Sequence, residues 1–232
     1  MLASRASVAA LLPCYSEEKH LRTLLARVQA EVDTVLVVDD GSPDNTAQEA
    51  QKAGVECLKH LTNQGKGAAI KTGLRALQER SGIDYVLILD GDGQHLPEEI
   101  PRFFDAANQQ SAPLILGTRM SDTRTMPWLR RLTNQTMSSQ ISRVCGQKIS
   151  DTQCGFRMIR RDFFQGLIAI ETNQFDYETE MLVVISRLGG KVGSVPISTV
   201  YGDEVSKIHP VRDTMRFLQM MARFRREAKI KP

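Results

Sequence analysis

Five short apolar runs rich in β-forming residues, Val8–Leu12, Thr34–Val38, Val55–Leu58, Tyr85–Leu89 and Leu114–Leu116, alternate with stretches of helical spacing near 16–31, 43–53, 66–80 and 97–110. A strand, a covering helix and a second strand of the same direction make a βαβ unit. Repeated units build an α/β domain with a mostly parallel sheet flanked by helices on both faces. The second half is less regular, with helices predicted near 127–145, 161–170, 176–188 and 210–227 and a strand near 191–198. Ser42 before Pro43 reads as a cap with proline at the first helical position, and Pro97-Glu98-Glu99 places two acids in a first turn, where the helix dipole favours them.

A hydrophobic content of 41% in 232 residues is enough for one full core, so a single domain is expected over 1–232. No apolar run reaches the ~18 residues that span a bilayer, and the first residues lack a signal-peptide pattern, so a cytoplasmic location is expected. Cys14, Cys57, Cys145 and Cys154 form no C-x-x-C pair and read as reduced thiols. Of the four dispersed histidines only His95 lies near a candidate site, and a local structural role is the commoner one for such a residue.

Ligands of an open α/β sheet bind at the carboxyl ends of its strands, so the residues after each run are read together. They are Pro13-Cys14-Tyr15-Ser16-Glu17 after the first, Asp39-Asp40-Gly41-Ser42 after the second and Asp90-Gly91-Asp92-Gly93-Gln94-His95 after the fourth. A strand-end Asp can accept a hydrogen bond from a ribose or a base edge, and Tyr15 offers an aromatic surface to the base. Asp before Gly-Ser is more often simple turn and cap chemistry. The Asp90–Gln94 run gathers two carboxylates and an amide oxygen, a donor set for Mg²⁺ or Mn²⁺ completed by substrate phosphates. With 14 Asp in the chain, an Asp-x-Asp arises by chance roughly 0.8 times, so context must carry the reading. Asn63-Gln64-Gly65-Lys66-Gly67 puts glycines and a cation at a helix start, where backbone N–H groups can face a phosphate, although the spacing is not that of a P-loop.

Charge is unevenly spread. Residues 119–161 carry nine basic against two acidic side chains, and 211–232 seven against two, whereas 1–118 are acidic on balance. Such stretches mark a solvated face or an anionic partner. In the last segment Arg212, Arg216, Gln219, Arg223 and Arg226 form a polar stripe, with Val211, Met215, Phe217, Leu218, Met220, Met221 and Phe224 on the other side. That basic amphipathic helix either packs on the domain or lies on an anionic membrane surface. Nucleic acid is not an expected partner, because no aromatic stacking surface interleaves the basic groups.

Pro13-x-Tyr15-x-Glu17, Val38-Asp39-Asp40-Gly41-Ser42, Asn63–Gly67, Asp90-x-Asp92-x-Gln94-His95, Gly117-Thr118-Arg119 and Asp151-x-x-x-Gly155-Phe156-Arg157 occur here in order. Across about residues 7–210 the chain therefore resembles family 2 glycosyltransferases, most of all the dolichol-phosphate mannose synthase and polyprenyl-phosphate glycosyltransferase branch. The resemblance implies a GT-A fold, a nucleotide-diphosphate sugar donor (GDP- or UDP-sugar), Mg²⁺ or Mn²⁺, and inversion at the anomeric carbon. By position it implies that Pro13, Tyr15, Glu17 and Asp40 hold the nucleoside, with Asp39 supporting the turn and Lys66 at the donor. Asp90, Asp92 and Gln94 would hold metal and diphosphate. Asp92, Arg119 and Arg131 would serve catalysis, and Arg119, Arg131 and Lys207 the acceptor. It divides the domain into a nucleotide-sugar half (7–118), an acceptor half (119–210) and the C-terminal helix (211–232).

The acceptor question turns on acidity. A phosphate monoester, with a second pKa near ~6, is already a nucleophile at neutral pH and requires no general base. A sugar hydroxyl needs a carboxylate to take its proton, and the candidates lie in Asp176-Tyr177-Glu178-Thr179-Glu180, where helix capping competes with that role. The basic stretch suits an anionic acceptor, so the leading expectation is transfer to a polyprenyl phosphate at the cytosolic membrane face, with a membrane surface or membrane protein as partner. Transfer to a saccharide or glycolipid hydroxyl, and a non-catalytic nucleotide-sugar sensor, are the alternatives. Many relatives carry membrane spans after the catalytic domain, whereas none lies within these 232 residues. The Thr199–Lys207 loop is also more acidic than that of mannose synthases, with Tyr201 near where an Arg is common. Sugar and acceptor identity therefore stay open.

Overall fold

The computed structural model describes residues 6–120, 128–198 and 210–230; Lys207 and Tyr201 lie outside them. Strand β1 (Val8–Cys14) is an interior strand buried along its whole length. Its side chains alternate between two cores, Ala9 and Leu11 on one face and Val8, Ala10, Leu12 and Cys14 on the other. Large aliphatic side chains buried in this way contribute ~1.5–3 kcal/mol each, which is why the apolar runs become interior strands. Strands β2 (Thr34–Asp39) and β4 (Tyr85–Ile88) pair with β1 in parallel, and β3 (Glu56–Lys59) continues in parallel beyond β2. The seven-stranded order is β3-β2-β1-β4-β6-β5-β7, in which β5 (Leu114–Thr118) and β7 (Val192–Pro196) are parallel neighbours.

Strand β6 (Arg157–Arg160) was not anticipated. It holds only two apolar residues between arginines, and it runs antiparallel between β4 and β5. Through it the later part of the chain is inserted into the sheet of the earlier part, so the domain is one body rather than two halves packed together.

Helices α1 (Leu21–Gln29) and α4 (Ile100–Gln110) cover one face. Helices α3 (Lys66–Gln78), α6 (Phe164–Ile168) and α7 (Asp176–Arg187) cover the other, joined by Ile141 of α5 (Trp128–Cys145). The acids of Pro97-Glu98-Glu99 sit in a 3₁₀ turn that leads into α4. The Ser42 cap is corrected: α2 (Thr46–Lys52) begins later, and the Thr46 N–H and hydroxyl both donate to Asp44. Ser42 is not at a helix start because its hydroxyl accepts the Ser16 N–H at 2.9 Å, fastening one strand-end turn to the next.

The C-terminal helix α8 (Pro210–Ile230) packs on the domain through Phe217, Met220, Met221 and Phe224. Its two-sided pattern is also corrected. Arg223, expected on the polar stripe, closes on Glu180 of α7 at 2.5 Å, while Met215 and Leu218 are exposed. No described helix is long and apolar enough to cross a membrane.

Candidate active site

The carboxyl ends of β1, β2 and β4 bring the three acidic turns together. The Ser16 N–H donates to Ser42 and the Glu17 N–H to Thr46 Oγ1 at 2.9 Å, and the Asp40 N–H donates to the Cys14 carbonyl at 2.8 Å. Pro13 lies in β1 opposite Val38, and Tyr15, 37% exposed, stands on the rim beside Glu17.

The two carboxylates that end β2 are spent differently. Asp39 accepts the Ser42 N–H at 2.9 Å and faces Lys59 at 3.3 Å, in keeping with support of the turn. Asp40 is buried and accepts the Gln64 N–H at 2.9 Å, the Gly65 N–H at 2.7 Å and a contact with His60 Nδ1 at 2.7 Å. Its oxygens therefore fasten the 60–65 loop, which the sequence alone did not reveal. Asp40→Asn, which turns an acceptor into a donor facing those amides, is expected to cost ~2 kcal/mol and to lower Tm by ~4–8 °C. A melting curve checks this, and an unchanged Tm with weakened nucleotide binding would return Asp40 to the nucleoside.

The Asn63–Gly67 loop is a locked turn more than a phosphate cradle. Besides the Gly65 amide, the Ala68 N–H is taken, by the Asn173 carbonyl at 3.1 Å. Gly65 has φ +104°, a left-handed backbone that glycine tolerates, and a Cβ there would collide with Asn173.

Lys66, the first residue of α3, points into the acidic turn. Its ammonium lies 2.6 Å from Asp90 Oδ1 and 2.9 Å from Glu178 Oε2. The other Asp90 oxygen is 3.8 Å from His95 Nε2, and the buried His95 ring packs on Phe156 with centroids 5.1 Å apart. Gly155 lies so close that a Cβ would collide with Asp90. Burial alone would push the Asp90 carboxyl up, but the Lys66 ammonium and the His95 ring hold it far below the usual carboxylate range. Burial likewise opposes the Lys66 charge, and Asp90 and Glu178 outweigh it and raise the amine above its ordinary value. The depressed Asp90 stabilises the fold above the ordinary carboxylate range and loses that contribution as pH falls below ~4; the raised Lys66 contributes below ~10 and loses it as pH rises further. Both are charged throughout neutral pH.

Asp92 and Gln94 follow on the same turn, half-buried, with the Gln94 N–H donating to Asp92 Oδ1 at 3.0 Å. Among the described residues no group of three His, Cys, Asp or Glu is arranged to hold a metal. The oxygen donors of Asp92 and Gln94, with Asp90 beside them, nevertheless suit Mg²⁺ or Mn²⁺, ions that take few protein ligands and complete their shell with phosphate and water.

Arg119, which the resemblance implies near a phosphate, is paired with a carboxylate of the chain. It is buried, and its Nε and Nη2 donate to the two oxygens of Asp151 at 2.8 and 2.9 Å. Burial would raise the Asp151 carboxyl, but Arg119 and the Asn134 amide hold it below its ordinary range. Arg157 is interior rather than surface, donating to the carbonyls of Cys154, Thr152 and Glu178. Arg131, one turn ahead of Asn134 on α5, is exposed. Of the acids opening α7, Glu178 pairs with Lys66 and Glu180 with Arg223, while Asp176 Oδ1 is buried without a hydrogen-bond partner. A shallow concavity of about 650 Å³ beside Tyr85, Arg160 and Arg161 lies at the amino end of β4, away from these groups.

A mostly parallel sheet of this order, with acidic turns at its carboxyl edge, defines the GT-A class of glycosyltransferase folds. The family model described as glycosyl transferase family 2 matches residues 10–168, and the chain belongs to that family; it is a glycosyltransferase. It is 32% identical over 205 residues to the undecaprenyl-phosphate mannosyltransferase of Micrococcus luteus, covering 83% of each chain. It is 27% identical over 213 residues to the UDP-N-acetylglucosamine–dolichyl-phosphate N-acetylglucosaminyltransferase of Methanococcus voltae, covering 82% of this chain and 84% of that one. In structure it is similar to glucosyl-3-phosphoglycerate synthase from Mycobacterium tuberculosis in complex with Mn²⁺, UDP and phosphoglyceric acid. That match has a TM-score of 0.71 at 16% identity, covers 98% of this chain and 80% of that one, and speaks for the fold.

Proposed function

We propose that this glycosyltransferase moves a sugar, with inversion and with the help of Mg²⁺ or Mn²⁺, from a nucleotide diphosphate to a polyprenyl phosphate at the cytosolic membrane face. The observation that carries the acceptor class is the state of the acids opening α7. Two of the three are held in ion pairs, which suits an acceptor that arrives already ionised. Both named relatives act, by their names, on a polyprenyl or dolichyl phosphate.

On this reading Tyr15 and Glu17 border the nucleoside, Asp92 and Gln94 hold the cation with Asp90 beside them, and Arg131 and Lys207 meet the acceptor phosphate. The cation, when bound, supplies positive charge to the leaving diphosphate. The chain itself orients the donor and fixes the carboxylates before reaction, so that little reorganisation accompanies bond breaking. Asp176 supports a second reading, since its unpartnered oxygen could take the proton of a sugar hydroxyl.

Incubation with Mn²⁺, a polyprenyl phosphate in vesicles, an oligosaccharide acceptor and labelled UDP- and GDP-sugars separates the two. Label in an acid-labile lipid phosphate is expected, with Asp176→Asn keeping activity within about threefold, because a phosphate acceptor needs no base. Label only in an oligosaccharide, abolished by Asp176→Asn, would instead establish the hydroxyl acceptor.

A further inference from the structure

We propose that Lys66 is an internal counter-cation for the acidic turn, a positioning residue that makes the divalent cation and the nucleotide diphosphate bind as a pair rather than the cation alone. The inference rests on the metal-dependent reading above.

The first observation is where the charge sits. Lys66 opens α3 with no acid in the first turn, so its ammonium stands at the positive end of the helix dipole. It is stable there because two carboxylates from distant parts of the chain close on it, Asp90 at 2.6 Å and Glu178 at 2.9 Å. The second is that Asp90 has little freedom to turn away. His95 faces its other oxygen, and Gly155 sits so near that a side chain there would collide with the carboxylate. The third is that Glu178 bridges two cations: Oε2 meets Lys66, while Oε1, buried without a hydrogen bond, forms a longer ion pair with the Arg157 Nε at 3.7 Å.

A divalent cation approaching Asp92 thus meets an ammonium that already holds the neighbouring Asp90. Entering alone, it must share that carboxylate against like-charge repulsion. Entering with a diphosphate, it brings anionic oxygens that can take the ammonium as a partner, and the repulsion becomes an attraction. The coupling is reciprocal, so nucleotide tightens cation binding by the factor by which cation tightens nucleotide binding.

The test is direct titration of Mn²⁺, followed by electron paramagnetic resonance of the free ion, with and without UDP or GDP. Lys66→Met is expected to bind Mn²⁺ alone at least tenfold more tightly than the unsubstituted protein and to lose most of the tightening by nucleotide. Lys66→Arg keeps the charge and should restore both. Glu178→Gln leaves the ammonium to Asp90 alone, so Mn²⁺ without nucleotide should bind more weakly and the coupling should grow. Opposite signs in Lys66→Met and Glu178→Gln are what a general loosening of the site would not give. Lys66→Met with an intact circular dichroism spectrum and unchanged Mn²⁺ affinity overturns the proposal, as does equal weakening in both variants. Should Lys66→Met fail to fold, Glu178→Gln decides: weaker Mn²⁺ binding with stronger coupling supports the proposal, and no change overturns it. Absence of Mn²⁺ binding to the unsubstituted protein even with UDP and GDP would overturn the metal reading itself, and this proposal with it.

Discussion

Replacing Asp92 with Asn is expected to lower kcat/KM for sugar transfer by about 10²- to 10³-fold, the range seen when one preorganised electrostatic contact to a developing charge is removed. Stability should hardly move. Asp92 is half-buried, and its Oδ1 accepts the Gln94 N–H at 3.0 Å, a bond that an asparagine oxygen can keep. The change therefore removes a formal charge without emptying space or breaking the turn, and Tm should shift by less than ~2 °C. Activity loss at constant Tm is the signature of a group that meets the reacting diphosphate or its cation. Initial rates with labelled nucleotide sugar, beside a melting curve, decide the matter. If transfer stays within about threefold of the unsubstituted protein, Asp92 does not hold a catalytic cation, and the Asp90–His95 turn would be structural.

The parts of this fold legible in the sequence are those whose burial is continuous along the chain. β1, β2 and β4 show themselves as apolar runs, and the acidic turns follow directly from where those runs stop. β6 was hidden because its place in the sheet comes from pairing with β4 and β5, not from its own four residues, two of which are arginines. The start of α2 is not legible in the local sequence for a related reason. Ser42 before Pro43 has the local pattern of a cap, and only the approach of the Pro13–Glu17 turn gives its hydroxyl to that turn, while Asp44 accepts from Thr46 at the start of the helix. In the site, residue types were legible and their partners were not. Lys66 with Glu178, Asp40 with the Gln64 and Gly65 amides, and Arg119 with Asp151 join segments far apart in sequence, and no periodicity encodes such pairings. A charge in a motif thus has a protein partner that the motif itself does not announce.

Arg119 is the sharpest instance, and Asp151→Asn is expected to have the largest effect on stability, about 3–5 kcal/mol, the loss typical of a buried ion pair deprived of one partner. Asp151 accepts the Arg119 N–H, Nε and Nη2, the Asn134 amide and the Gln153 N–H, all within 3.2 Å. Asparagine offers one oxygen where the carboxylate offers two, and its amide must point a donor at donors. The guanidinium would then be left charged and half-paired beneath α5. For a domain of this size the corresponding fall in Tm is ~6–20 °C. The acid limb of the stability profile gives an independent sign. The Asp151 carboxyl is held below its ordinary range, so its contribution is present above ~4 and lost as pH falls, and that limb should flatten in the variant. A fall in Tm below ~2 °C, accompanied by a changed KM for the donor, would return Arg119 to the phosphate-binding role that the resemblance implies. Should the large fall be found with KM for donor and acceptor unchanged, Arg119 is structural, and the task of meeting an anionic acceptor passes to exposed cations such as Arg131. Arg131→Ala should then raise KM for the lipid phosphate at nearly constant Tm.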